Sequence, residues 1–255
     1  LTHEADLTAT VVIPARFGST RFPAKIVANK TGKPLVQHVV EQAGKCELVD
    51  RIIVATDDDR IVAALRPFDT EVVMTSADHQ SGTDRIAEVA RGLSSDVIVN
   101  VQGDEPEIEP ETIDALIDRL ARHPEDDMAT AATPFPVHTD PRDPNLVKVV
   151  VDGNGRAIYF SRSPIPYPRE PDFLGNAGYN LHLGIYAYRR PFLLMFSGWS
   201  PTPLEKTEKL EQLRALEHGR SIYVLPVRRA AHGIDTPEQY EEFVRRYRKL
   251  PVASC

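Results

Sequence analysis

The 255-residue chain has only two cysteines, Cys46 and Cys255, in no spacing that a metal or a disulfide framework would use. A reduced, cytoplasmic setting is therefore the expectation. Nowhere do about 18 apolar residues follow one another, and Glu4 and Asp6 precede the first apolar stretch, so neither a membrane span nor a secretory signal is expected. Positive charge is also scarce. Thirty Lys and Arg stand against 37 Asp and Glu, a formal charge of -7, which argues against nucleic acid as a partner. G-x-G-x-x-G and G-x-x-x-x-G-K-[ST] are both missing, which removes the main support for a dinucleotide oxidoreductase and for a P-loop phosphohydrolase.

Short β-branched runs alternate with helical patterns through the first half, the rhythm of a parallel sheet with crossover helices. The pattern predicts strands over residues 10–13, 51–56, 71–74 and 96–101. Helices are predicted over 34–45, 58–66, 84–92 and 110–122, the last with Ile113, Leu116, Ile117 and Leu120 on one face. A hairpin follows, 147–151 and 157–161 around the turn Asp152-Gly153-Asn154-Gly155. Four prolines in residues 164–171 forbid a ladder and mark a spacer or a lid. Then come a strand at 182–188, one helix from the N-cap Thr202 to a stop at Gly219, a strand at 221–227 and a terminal helix from Pro237. The fold class is α/β, read as a single domain over 8–250.

Against the net acidity, residues 11–34 carry Arg16, Arg21, Lys25, Lys30 and Lys33 and no acid, a local +5. The loop Ala15-Arg16-Phe17-Gly18-Ser19-Thr20-Arg21 follows the first strand, where open α/β sheets bind ligands, and it offers cations, hydroxyls and backbone N–H groups suited to phosphates. Gln102-Gly103-Asp104-Glu105-Pro106 puts a carboxylate at another strand tip, with Gly103 permitting close backbone approach. Asp104 suits a hard cation bound to phosphate oxygens. Asp235 is the second candidate ligand. Thr236, Pro237 and Gln239 already form a capping box, so the terminal helix does not need Asp235. Two distant carboxylates and a basic loop are the parts that grip a magnesium-nucleoside triphosphate.

Six stretches then carry a resemblance. They are residues 13–25 (IPARFGSTRFPAK), Asp78-His79-Gln80-Ser81-Gly82-Thr83-Asp84-Arg85, Gln102-Gly103-Asp104-Glu105-Pro106, Tyr159-Phe160-Ser161-Arg162, His182-Leu183-Gly184-Ile185-Tyr186 and Gly233-Ile234-Asp235-Thr236-Pro237. In this order they resemble the 3-deoxy-manno-octulosonate (Kdo) cytidylyltransferases, the CMP-Kdo synthetases. Ala24 stands where that family usually has glycine.

The resemblance implies a Rossmann-like nucleotide-diphospho-sugar transferase fold and a homodimer that joins CTP and Kdo with Mg2+, for lipopolysaccharide synthesis. It implies Arg16, Arg21 and Lys25 on the triphosphate, with Arg16 and Lys25 counted among the catalytic groups. Ser81, Gly82 and Thr83 would face the nucleoside, Gln102 either substrate, and Asp104 and Asp235 the metal. Arg162, His182, Tyr186, Glu211 and Gln212 would line the sugar site, with 145–190 as a sugar-binding and dimerisation region. Thr83 also reads as an ordinary helix cap, His182 as a core histidine, and Glu211 and Gln212 as solvated helix surface. A CMP-sialic acid synthetase, a cytidylyltransferase for a modified Kdo and a non-catalytic nucleotide-sugar sensor share most of these features.

Overall fold

Residues Ala9 to Ile13 are all buried, as in a strand covered on both faces. This strand, β1 (Ala9–Ala15), pairs in parallel with β2 (Arg51–Thr56), which pairs in parallel with β3 (Val72–Met74). The computed structural model describes residues 7–136, 139–170, 178–229 and 233–249. Cys255 and residue 171 of the proline-dense loop lie outside that set. The chain divides into two compact units.

The first unit comprises residues 10–94, 100–111 and 231 onward. Besides the parallel strands it holds α1 (Leu35–Ala43), α2 (Asp59–Leu65) and α3 (Gly82–Arg91). The start of α3 differs from expectation. Ser81, not Thr83, is the N-cap, and its hydroxyl accepts from Asp84 N (3.1 Å) while the Asp84 carboxylate accepts from Ser81 N (3.2 Å). Thr83 sits inside the first turn, almost fully buried.

The second unit comprises residues 1–9, 95–99 and 112–230. It contains β4 (Val97–Asn100) up to Val99, α4 (Pro110–Arg122) from Thr112, β5 (Met128–Pro134), β6 (Lys148–Val151), β7 (Ala157–Ser161), β8 (Asn180–Arg189), α5 (Arg190–Ser197), α6 (Pro203–Glu208), α7 (Leu213–Glu217) and β9 (Ile222–Pro226). The four apolar residues expected on one face of α4 are buried. Strand β5 lies between β8, antiparallel, and β9, parallel. The expected hairpin is present as β6 and β7, and Gly155 turns it at φ +77°. A Cβ at that position would meet the Tyr223 ring at 2.9 Å.

Three elements depart from the sequence reading. Strand β5 was not anticipated, because Met-Ala-Thr-Ala-Ala-Thr-Pro has little β-branched apolar content. Neither was α5. The single helix expected from Thr202 to Gly219 is two, α6 and α7. Lys209 adopts a left-handed conformation (φ 54°) that ends α6, and Arg162 caps the open end by donating to the carbonyls of Glu208 (2.7 Å) and Lys209 (3.2 Å).

The chain ends in α8 (Pro237–Lys249), which belongs to the first unit and begins with the anticipated capping box: Gln239 N donates to Thr236 Oγ1, and the Gln239 amide oxygen accepts from Thr236 N. Its Tyr240, Phe243 and Val244 form a buried cluster with Leu35 and Ile234, against which Phe22 packs. Burying such side chains contributes roughly 1.5–3 kcal/mol each. The Phe22 segment leads into Ala24, which is left-handed (φ 56°, ψ 25°) immediately before the short 3-10 turn Lys25–Val27. A side chain there costs about 1–2 kcal/mol, which accounts for the glycine usual in the resembling family. Replacing Ala24 by glycine is expected to raise the melting temperature by about 2–4 °C per kcal/mol recovered, read by thermal denaturation. An unchanged or lower melting temperature would contradict a strained Ala24.

Candidate active site

Beyond the carboxyl end of β1 lies a cavity of about 460 Å³ within the first unit, lined by Arg16, Arg21, Lys25, Gly82, Gln102, Asp104 and Asp235 among others. Seven of the residues singled out in the sequence thus meet in one place. The cause is local. Val101 N donates to Val12 O (3.4 Å), which carries residues 102–104 along the end of β1, and Gly103 fits there because a Cβ would meet Pro14 O at 3.1 Å and Ile26 Cδ1 at 3.3 Å. Ile234 N donates to Asp104 O (2.8 Å), so Asp235 follows directly beside Asp104.

Lys25 sits at the centre, with its side chain 11% exposed. Its ammonium donates to Asp104 Oδ2 (2.5 Å), Ile234 O (3.0 Å) and Asp235 Oδ1 (3.1 Å). Arg21 pairs with the other Asp235 oxygen at 3.0 Å. Arg16 donates to His79 O (3.0 Å), joining the basic loop to the segment that leads into α3. That segment is held by Glu88, whose carboxylate accepts from Ser76 N and from the His79 ring. Gln102 donates from its side-chain amide to Asn100 Oδ1 (3.1 Å). Of the presumed nucleoside loop only Gly82 lines the cavity. Sequence reasoning passed over Glu105, whose carboxyl is pushed up to about 8 by burial and by the Asp104 charge. Its only signal was its place beside Asp104.

The residues expected at the sugar, apart from Gln102, all belong to the second unit. His182 and Tyr186 both lie on β8. Residues four apart on a regular strand are separated by roughly 13 Å, yet these rings have centroids 5.5 Å apart. A bulge brings them together. In the ladder with β5, Thr130 faces Tyr186 but Ala131 faces Leu183, which leaves Gly184 and Ile185 as extra chain. The Thr130 hydroxyl braces the bulge by donating to Ile185 O (2.7 Å), and the His182 Nε2 lies 3.0 Å from that hydroxyl's own oxygen, Thr130 Oγ1. With the threonine proton so engaged, Nε2 is the protonated nitrogen and Nδ1 keeps its lone pair.

Burial lowers the His182 imidazole to about 3, and burial followed by the Glu211 charge holds the Tyr186 phenol well above its usual value. Both are neutral near pH 7. Gln212 is 5% exposed, and its amide nitrogen finds no partner among the described residues. Glu211 lies 3.5 Å from Arg214. The split of α6 from α7 places both residues in a bend rather than on a solvated helix face, as the simpler reading had it. Arg162, expected to line the sugar site, donates to Pro144 O (2.7 Å) as well as to the two carbonyls that end α6. Glu208 holds it from the other side, accepting from Ser161 Oγ (2.6 Å) and Arg162 N (2.9 Å). The geometry makes Arg162 a structural clamp first.

Comparison with known proteins sets the class. A family model described as cytidylyltransferase matches residues 10–222. The 3-deoxy-manno-octulosonate cytidylyltransferase of Geobacter sulfurreducens is 48% identical over 248 residues, 94% of this chain and 99% of the relative. That of Syntrophotalea carbinolica is 48% identical over 238 residues, 91% and 95% of the two chains. A solved CMP:2-keto-3-deoxy-manno-octonic acid synthetase in complex with CTP superposes with a TM-score of 0.89 at 40% identity, covering 95% of this chain and 99% of that one. This chain belongs to the 3-deoxy-manno-octulosonate cytidylyltransferase family.

The lowered histidines predict a direction for stability. His182, and His38 at about 4, are held neutral in the folded protein. Their contribution is complete above the unfolded value near 6.5 and is lost as pH falls from there toward 4 and 3. The melting temperature should decline over that window, and His182→Gln should flatten the decline. An equally steep decline in the variant would contradict the His182 assignment.

Proposed function

We propose that the enzyme transfers a cytidylyl group from CTP to Kdo, giving CMP-Kdo and pyrophosphate for lipopolysaccharide assembly. The observation that carries this reading is the convergence of three cations and two carboxylates from distant segments in one cavity, in a chain whose relatives bear that activity in their names.

Arg16, Arg21 and Lys25 receive the triphosphate, each charge-assisted contact contributing about 1.5–3 kcal/mol where water is excluded. Ser81, Gly82 and Thr83 take the nucleoside side, where only Gly82 reaches the cavity and the others set the course of the backbone. On the sugar side, His182 Nδ1 accepts from a hydroxyl, the Tyr186 hydroxyl and the buried Gln212 amide donate, and Glu211 accepts. Arg162 fixes the bend that carries Glu211 and Gln212. Gln102 serves either substrate.

The anomeric 2-hydroxyl oxygen attacks the α-phosphorus in line. As the new O–P bond forms, the hydroxyl proton passes to solvent, the bond to the β-phosphate oxygen breaks and pyrophosphate leaves with that electron pair. The donor set of Asp104 and Asp235 fits a hard divalent cation, because both carboxylates already converge on a single positive charge. Mg2+ held there would supply charge to offset the phosphate oxygens and acidify the attacking hydroxyl. The chain residues position the reactants and neutralise charge, which is most of what phosphoryl-type transfer requires.

We assign residues 8–250 to one catalytic domain and 145–190 to sugar binding and dimerisation, where Ile158 and Tyr167 stand exposed. The enzyme acts as a cytoplasmic homodimer in this reading, and none of the described helices is long and apolar enough to cross a membrane.

Pyrophosphate release, measured with CTP and Mg2+ and offered Kdo, sialic acid or no sugar in parallel, tests the activity. Release with Kdo is expected, and release with sialic acid alone would overturn the reading. Asp104→Asn and Asp235→Asn should each lower kcat by about 10², and near-normal turnover at limiting Mg2+ would remove them from the metal site. Gln212→Met should raise the KM for Kdo while leaving that for CTP unchanged. Because it removes a buried unpaired donor, it should not lower the melting temperature.

A further inference from the structure

A lysine ammonium has three N–H donors. In Lys25 all three are engaged with protein acceptors: Asp104, Asp235 and the Ile234 carbonyl. The two carboxylates engaged are those assigned to the metal, and Lys25 is itself assigned to the triphosphate. Neither assignment can operate while these contacts persist, since a phosphate oxygen would find no donor on Lys25 and a divalent cation would meet an ammonium already between its ligands. Arg21 adds a second positive charge on Asp235. Like charges close together repel strongly where water is partly excluded, so ammonium and metal do not share the carboxylate pair.

From this we infer that Lys25 is an exchange residue: it occupies the Asp104–Asp235 pair as a surrogate cation and gives it up to the divalent ion, which turns its ammonium toward the triphosphate. The inference rests on the reading of Asp104 and Asp235 as metal ligands. It adds that metal and triphosphate bind with positive coupling through one side chain. The metal frees the lysine, and the phosphates keep it from returning. By linkage each ligand raises the affinity for the other by the same factor. Lys25 can turn because its stem is long and flexible, which an arginine fork would match poorly. The left-handed Ala24 just before it fixes where the stem starts.

The inference requires that removing a positive charge from the basic loop tighten metal binding. Mn2+ affinity is measured by titration calorimetry, first without nucleotide and then with saturating CTP, on the wild-type protein, Lys25→Met and Asp104→Asn, after circular dichroism has confirmed that each is folded. Lys25→Met is expected to bind Mn2+ about tenfold tighter, the loss of one competing charge-assisted contact, and to lose the enhancement of Mn2+ affinity that CTP gives the wild type. Equal or weaker Mn2+ binding by Lys25→Met, with binding abolished in Asp104→Asn, would overturn the exchange and leave the metal site standing. Unchanged binding in both variants would overturn the metal site itself.

A second measurement uses the unmodified sequence. Reductive dimethylation followed by peptide mass spectrometry reads the accessibility of the Lys25 amine. Labelling is expected to be slow in the free protein, faster with saturating Mg2+ alone and slow again once CTP is added. Labelling that Mg2+ leaves unchanged or slows would overturn the exchange.

Discussion

One ammonium holds together three stretches of chain that are far apart in sequence. Lys25 reaches Asp104 beyond the end of β4 and Asp235 ahead of α8, and its third proton meets the carbonyl of Ile234. The cavity at the end of β1 exists in its present form because these contacts draw the loops inward. The supports around it serve the same arrangement. Gly103 lets the Asp104 strand tip lie against Pro14, the Ile234 amide donates to Asp104 O, and the apolar face of α8 anchors the residues next to Asp235 against Leu35 and Phe22. Opposite charges held this close are stable here because each has a partner, and a partner removed would leave its counterpart partly buried and alone.

Much of the cavity at the end of β1 was legible in the sequence because its signals are local. Arg16, Arg21 and Lys25 stand out against an acidic chain. Asp104 follows a strand, and Asp235 precedes a capping box that has no need of it. Each can be read within about ten residues, and the structure brings all five to one cavity. What the sequence could not show was that Lys25 and the two aspartates satisfy one another, since donor counts become informative only when distances are known. The residues expected at the sugar were less legible for a different reason. Arg162 was placed at the sugar by resemblance alone, and three backbone carbonyls from two segments take its donors. The break between α6 and α7 depends on Lys209 in a left-handed conformation, which lysine composition does not announce. Strand β5 escaped notice because alanine and threonine become a strand there through pairing with β8 and β9 rather than through propensity.

Two left-handed residues and one buried amide lie beside these features. Ala24 and Lys209 are two of three non-glycine residues with positive φ among the described residues, and they stand directly before Lys25 and at the end of α6. Gln212 keeps a buried amide nitrogen without a partner among the described residues. Such departures persist where the surrounding packing enforces them.

The bulge in β8 has a consequence of parity. Side chains on a strand alternate between faces, so an odd number of extra residues would exchange the two faces for everything beyond the irregularity. Gly184 and Ile185 are an even number. Leu181, Ile185 and Ala187 therefore stay buried on one side of the bulge and through it, while His182 and Tyr186 keep a common face and are drawn closer along it. An insertion of two shortens the spacing between the two rings without disturbing the core behind them, whereas an insertion of one would have turned one ring into the core and a core residue out.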